Sequence, residues 1–230
     1  MAEPAEPVQD PTVAAPQDKS WFQTTDWLAF HEDLVKESVK KGSDCRVVFM
    51  GDSITQGWGG EGKEVWKAHY AEYNALNLGI GGDEVQHLLW RVQNGEIDAV
   101  SPDAVVILIG TNNIGNVGHK AGVIASGVQL LLAELRHRLP EARLLLMGCF
   151  PRDAAPDTAF RQEVIALNKL LYTMRDGEHI FYLDIGEYLT DFKQEITADV
   201  MPDYLHLSAQ GYEIWCVFPP ANLAWWNSLS

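Results

Sequence analysis

Three side chains in this sequence have the types and spacing to do chemistry together: Ser53, Asp203 and His206. A serine hydroxyl is a poor nucleophile until a base removes its proton in the transition state. His206 can be that base, and Asp203, three residues earlier, can fix its tautomer and stabilise the imidazolium. Attack on an acyl carbonyl creates an oxyanion, which needs donors already aimed at it. The Gly82 N–H, the Ser53 N–H and the Asn112 side-chain amide are the candidates, and glycine at 82 lets backbone approach a ligand closely. The chemistry would be acyl transfer from an ester through a covalent serine intermediate.

Each residue also has a plainer use. Ser53 could cap a helix, Gly82 and Asn112 could shape turns, and His206 is one of seven histidines, of which His31, His69, His119 and His137 read as surface residues. Asp199 competes with Asp203, but spacing favours Asp203. Asp52 reads as a support for the turn before Ser53 rather than as a reactive group.

The elements that must position these residues are legible as apolar runs. Residues 46–50 read as a buried strand ending at Gly51, and 75–78 as a second that ends in the glycine-rich run to Gly82. The unbroken run 104–109 is a third, of the kind a parallel sheet buries on both faces. Residues 144–147 and 180–183 are the fourth and fifth. Helices fill the intervals: one from Trp21 to Val39, one capped by Asp83 with Val85, Leu88, Leu89 and Val92 on one face, one carrying Ile124, Val128, Leu131 and Leu135, and one carrying Val164, Leu167, Leu171 and Met174. Ser208 caps a last helix, which Pro219 and Pro220 must interrupt. The expected fold is a three-layer α/β/α, flavodoxin-like sandwich on a five-stranded parallel sheet, in one domain over 21–230. In such sheets function collects beyond the carboxyl ends of the strands, which is where the candidate residues fall. Residues 1–20, with Pro4, Pro7, Pro11 and Pro16 among alanines and acids, read as a flexible tail.

The 230 residues carry 32 acidic and 17 basic side chains, a net charge of −15. That balance argues against a nucleic-acid partner and against docking to anionic lipid. No apolar run approaches the ~20 residues of a membrane span. The N-terminus lacks the charged start and apolar stretch of a signal peptide, so an exported mature form and a cytoplasmic one both fit. Cys45, Cys149 and Cys216 are too few and too scattered for a disulfide framework or a zinc site, and no cofactor is required. Residues 57–62 match G-x-G-x-x-G, but they do not directly follow a strand and Trp58 would crowd a phosphate. Trp66, Trp90 and Leu89 read as core or rim packing; Trp215, Trp225 and Trp226 read as sheet packing, or as the face of a homodimer or a ligand platform.

Four blocks stand in order: Gly51 to Thr55, Asn77 to Asp83, Gly110 to Asn113 and Asp203 to Leu207. Together they resemble the SGNH, or GDSL-type, hydrolase superfamily, whose namesake residues would be Ser53, Gly82, Asn112 and His206. Within it the chain is most similar to the catalytic α subunits of intracellular platelet-activating-factor acetylhydrolase, which share Leu89 to Arg91 and Asn94 to Glu96. Many superfamily members have Asp where this chain has Asn113, a feature that subgroup shares, whereas residues 56–62 depart from the mammalian subunits. The resemblance implies a cofactor-free serine esterase. Ile54 and Leu205 flank the proposed Ser and His, and their bulk points to short acyl groups, chiefly acetyl. The acidic balance tilts the expected substrate towards an acetylated carbohydrate, as a small molecule or an oligosaccharide. Deacetylation of an ether phospholipid and a dimeric binding module for a regulatory partner are the alternatives that the resemblance implies.

Overall fold

In the computed structural model, which describes residues 8–19 and 24–217, strand alternation decides which layer each side chain joins. In β1 (Val47–Gly51) Val48 and Met50 enter one core while Val47 and Phe49 enter the other. With β2 (Leu76–Gly79), β3 (Ala104–Leu108), β4 (Arg143–Met147) and β5 (Ile180–Leu183), β1 forms one parallel sheet in the order β2-β1-β3-β4-β5. The chain moves outward from β1 to β2, then returns past β1 to β3. The crevice beyond the ends of β1 and β3 is therefore the topological switch point, where doubly wound sheets bind ligands.

Helices cover both faces, as the alternation of apolar segments predicts. α1 (Thr24–Lys41) lies against β2, and α4 (Val85–Gln93), α6 (Ala121–Arg138) and α7 (Ala159–Tyr172) bury the face that carries Val48. The opposite face is closed by α3 (Lys63–His69) and α8 (Ala209–Val217). Between these longer elements, α2 (Ser53–Gln56) and α5 (Thr111–Gly115) are short helices placed directly after β1 and β3. No helix among the described residues is long and apolar enough to cross a membrane.

Several expectations change in three dimensions. Asp83 does not cap α4; Glu84 does, in a reciprocal box with His87, and Asp83 is fully buried instead. His31 is not a surface residue: it is 4% exposed and stacked on Trp27. Trp215 is wholly buried among Phe49, Trp58 and Phe150, so it packs the sheet and offers no face to a partner. Ser208 does accept a hydrogen bond from the Gly211 N–H at the start of α8. Trp225, Trp226, Pro219 and Pro220 lie outside the described residues.

Residues 8–19 do not hang free. Their composition forms no core, yet Pro11 and Gln17 are buried where the segment runs along α4 and α6. The carbonyl of Pro11 sits over Gly127 of α6, 2.4 Å from where a Cβ would stand, so only glycine admits it. Gln9 Oε1 lies 2.8 Å from His87 Nε2, the Ala15 N–H donates to the Gln86 carbonyl, and Lys19 pairs with Glu84.

Candidate active site

Asp52 leaves β1 and caps α2, its Oδ1 accepting from the Ile54 N–H at 3.0 Å, which sets Ser53 on the first position of the helix. The space there is tight: a Cβ on Gly51 would meet the Leu108 carbonyl at 2.2 Å. Burial lifts the Asp52 carboxyl to about 7, against the pull of the Ile54 N–H. Ser53 Oγ lies 2.8 Å from His206 Nε2, and His206 Nδ1 lies 2.6 Å from Asp203 Oδ2. The other Asp203 oxygen accepts the backbone N–H groups of Leu205 and His206. Partial burial raises the Asp203 carboxyl, but the bonds from His206 outweigh it and hold the group below its ordinary value. Tyr204 takes a left-handed φ of 60°, closing the loop so tightly that acid and imidazole face each other across three residues. Asp199 makes no such contact: its carbonyl accepts from Ser208.

The second block forms a turn. The Asp83 N–H donates to the Ile80 carbonyl, and Gly82, at the third position, has φ +78°. A type II turn requires that left-handed value, which glycine supplies without strain. Among the described residues, no carbonyl or side chain accepts the Gly82 N–H or the Ser53 N–H. From α2, Gln56 Oε1 accepts the Gly81 N–H at 3.0 Å. In the third block, the Asn112 amide donates to the Asp83 carbonyl at 3.0 Å, which engages one of its two N–H donors. Asn113 needs both an acceptor and a donor, taking the Val85 N–H on Oδ1 and giving Nδ2 to Gln86 Oε1; an ionised Asp could not do both.

Beneath the turn lies a buried ionic cluster that sequence reasoning missed. Arg91 bonds Asp83 Oδ2 at 2.8 Å, Glu96 Oε1 at 2.5 Å and the carbonyls of Leu78 and Gly51, clamping the ends of β2 and β1 together. Asp83 also accepts from the Trp27 indole and the Gln17 amide. Burial lifts the Asp83 carboxyl to about 6 against the attraction of Arg91. A lone arginine between Leu88, Leu89 and Val92 was the available signal, since a cation on an apolar helix face demands buried acids.

Ile54 is 2% exposed and belongs to the core under α2, so it does not line the space before Ser53. Leu205 is half-buried against the same core. A groove of about 530 Å³ opens at Ser53, lined by Phe30, Leu34, Gln56, Gly59, Gly60 and Asn77. Trp58, in the glycine-rich stretch, is 1% exposed and packed on Tyr212 and Trp215. Arg152 reaches from beyond β4 to Thr111, its guanidinium 4.5 Å over the Phe160 ring and its charge within reach of Asp52 and Asp203. One trio among the described residues, His69, Glu213 and Cys216, has ligand-type atoms within 4.8 Å of one another, but burial pushes the Cys216 thiol up to about 11, which opposes a metal-binding thiolate.

Residues 49–214 match the model of the GDSL-like lipase/acylhydrolase family. The chain belongs to that family. Platelet-activating factor acetylhydrolase IB subunit alpha1 of Homo sapiens is 35% identical over 191 residues, which is 83% of this chain and 79% of the relative. The alpha2 subunit of Rattus norvegicus is 32% identical over the same length. Among solved structures, a GDSL-like lipase from Bacteroides thetaiotaomicron matches with TM-score 0.66 and 21% identity, covering 81% of this chain and 93% of that one. A catalytic mutant of an acetylxylan esterase from Geobacillus stearothermophilus matches with TM-score 0.60 and 20% identity, covering 76% and 92%. The two structures share the fold. As a GDSL-type acylhydrolase, the chain is a carboxylic ester hydrolase.

Proposed function

We propose that this acylhydrolase removes short acyl groups, chiefly acetyl, through a Ser53 acyl-enzyme. The observation that carries the reading is the continuous chain from Ser53 Oγ through both nitrogens of His206 to Asp203. Ser53 Oγ attacks the carbonyl carbon while its proton passes to His206 Nε2, and Asp203 stabilises the imidazolium. The oxyanion is received by the Gly82 and Ser53 N–H groups and the Asn112 amide. His206 then returns the proton to the leaving alkoxide, the C–O bond breaks, and water activated by the same nitrogen releases the acid and frees Ser53.

With Ile54 sealed in the core, the acetyl preference rests on the relatives, several of which are named acetylhydrolases. For the alcohol we favour a carbohydrate hydroxyl, supported by the −15 charge and by the Gln56 and Asn77 amides, which stand beside Phe30 and Leu34 in the glycine-walled groove at Ser53. An ether phospholipid is the second reading, supported by the 35% identity to the platelet-activating factor acetylhydrolase subunit. A substrate panel of acetylated xylo-oligosaccharides, acetylated ether phospholipid and p-nitrophenyl acetate, with Ser53→Ala as blank, separates them. Full esterase activity in Ser53→Ala would sink the acyl-enzyme; faster turnover of the lipid would move the leaving group to the second reading.

A further inference from the structure

The peptide that joins Gly81 to Gly82 supplies the Gly82 N–H, and its carbonyl is held from the far side by a residue of the N-terminal segment. Gln17 Nε2 lies 3.2 Å from the Gly81 carbonyl oxygen and 2.8 Å from Asp83 Oδ1, and the side chain is completely buried. We infer that Gln17 is a positioning residue for the oxyanion site: it fixes the orientation of the Gly81–Gly82 peptide and so aims the Gly82 N–H. The inference rests on the reading of Gly82 as an oxyanion donor.

A turn with glycine at both central positions has two backbone states. Type I and type II turns differ chiefly by turning the central peptide over, and glycine removes the side-chain penalty that would otherwise choose between them. Here the central peptide is the Gly81–Gly82 unit, and Gly82 holds the left-handed φ of the type II form. In a trans peptide the C=O and N–H point in opposite directions, so a donor on the carbonyl fixes the N–H as well. Flipping this peptide would break the bond from Gln17 and turn the Gly82 N–H away from its present direction. The preceding peptide is held independently, its Gly81 N–H bound to Gln56 Oε1. Two glutamines, one from the segment before α1 and one from α2, thus pin consecutive peptides of one turn.

Anchoring of the segment on both sides of Gln17 explains how a residue 64 positions away holds station. Gln9 meets His87, the Pro11 carbonyl fills the notch at Gly127, and Lys19 pairs with Glu84. The loss expected from removing Gln17 is smaller than that of a direct oxyanion donor, because the N–H remains and only its alignment is freed.

The test uses full-length Gln17→Met, which keeps the length and burial without the donor, and Gln17→Asn, whose amide falls one methylene short. Hydrolysis of p-nitrophenyl acetate should show kcat reduced about tenfold or more with KM within about twofold. Affinity for a trifluoromethyl ketone, which forms a tetrahedral adduct with the serine, should fall in step with kcat. A residue that merely supported the fold would lower the melting temperature without changing that affinity. The inference is overturned if folded Gln17→Met keeps kcat and ketone affinity within about twofold of the parent, or if neither variant folds. Ser53→Ala, run beside them, separates the two ideas: activity there removes the acyl-enzyme itself, whereas an inactive Ser53→Ala with an unaffected Gln17→Met removes only the role of Gln17.

Discussion

The two halves of the proposed active site are built in opposite ways. On the acid–base side, Asp203 and His206 sit on a loop with side chains 56% and 44% exposed, held to each other by bonds that span at most three residues and to Ser53 by the His206 contact. On the oxyanion side, Asp83, Arg91, Asn112 and Asn113 are buried, and their partners come from α1, α4, the ends of β1 and β2, and the N-terminal segment. A proton shuttle needs solvent and small reorientations, and a loop supplies both. Donors that await a charge must already point at it, because reorienting them during the reaction would add to the barrier. With the roles proposed above, the contrast teaches that stability and catalysis would be coupled on the oxyanion side only.

The sharpest way to break that contrast is Asp203→Asn, which should lower kcat about 10⁴-fold, the size seen when the acid of other serine triads is neutralised. Melting temperature should barely move, since the loop is exposed; a fall of many degrees would show that this side also carries the fold. Next in size, Arg91→Met should destabilise the protein by about 3–5 kcal/mol, because it strands Asp83 and Glu96 in the core. Chemical denaturation measures it, and a loss below about 1 kcal/mol would mean that the cluster is not a structural requirement. Asn112→Ala should cost about 10²–10³ in kcat with KM nearly unchanged. A change confined to KM would place the amide on the substrate rather than on the oxyanion.

The smallest effect concerns pH. Asp52 has its folded value raised to about 7 from an unfolded value near 4, so the neutral form is the one that the fold tolerates. Its favourable contribution is complete below about pH 4 and is lost as pH rises through about 7. Asp52→Asn keeps an oxygen for the Ile54 N–H and cannot ionise, so the gap in melting temperature between variant and parent should shift in the variant's favour from pH 5 to pH 8. A gap that is flat across that range would show that Asp52 is not the titrating group.

Much of this was legible in the residue order. The apolar runs at 47–51, 104–108 and 144–147 are strands because each is short, unbroken and buried on both faces. Ser53, Asp203 and His206 could be picked out because their types do little unless they meet, and the structure does bring them within hydrogen-bond distance. What escaped was set by burial rather than by pattern. A proline-rich, acidic stretch reads as solvated, and nothing in its spacing reveals that Gln17 finds two acceptors 64 and 66 residues on. Asp83 looked like a helix cap because caps and buried counter-ions are the same residue type. Ile54 looked like a pocket wall because its neighbour is the serine, yet adjacent helix positions face different ways.

The Ser53–His206 contact also has a kinetic meaning. It joins residues 153 apart in sequence, across the whole sheet, whereas the Asp203–His206 turn closes over three. Local turns form early and cheaply in a folding chain, while distant ends meet only after the strands between them are ordered. In the proposed mechanism, hydrolysis therefore becomes possible only when the last layer has docked, and the appearance of activity would report completed assembly rather than the growth of secondary structure.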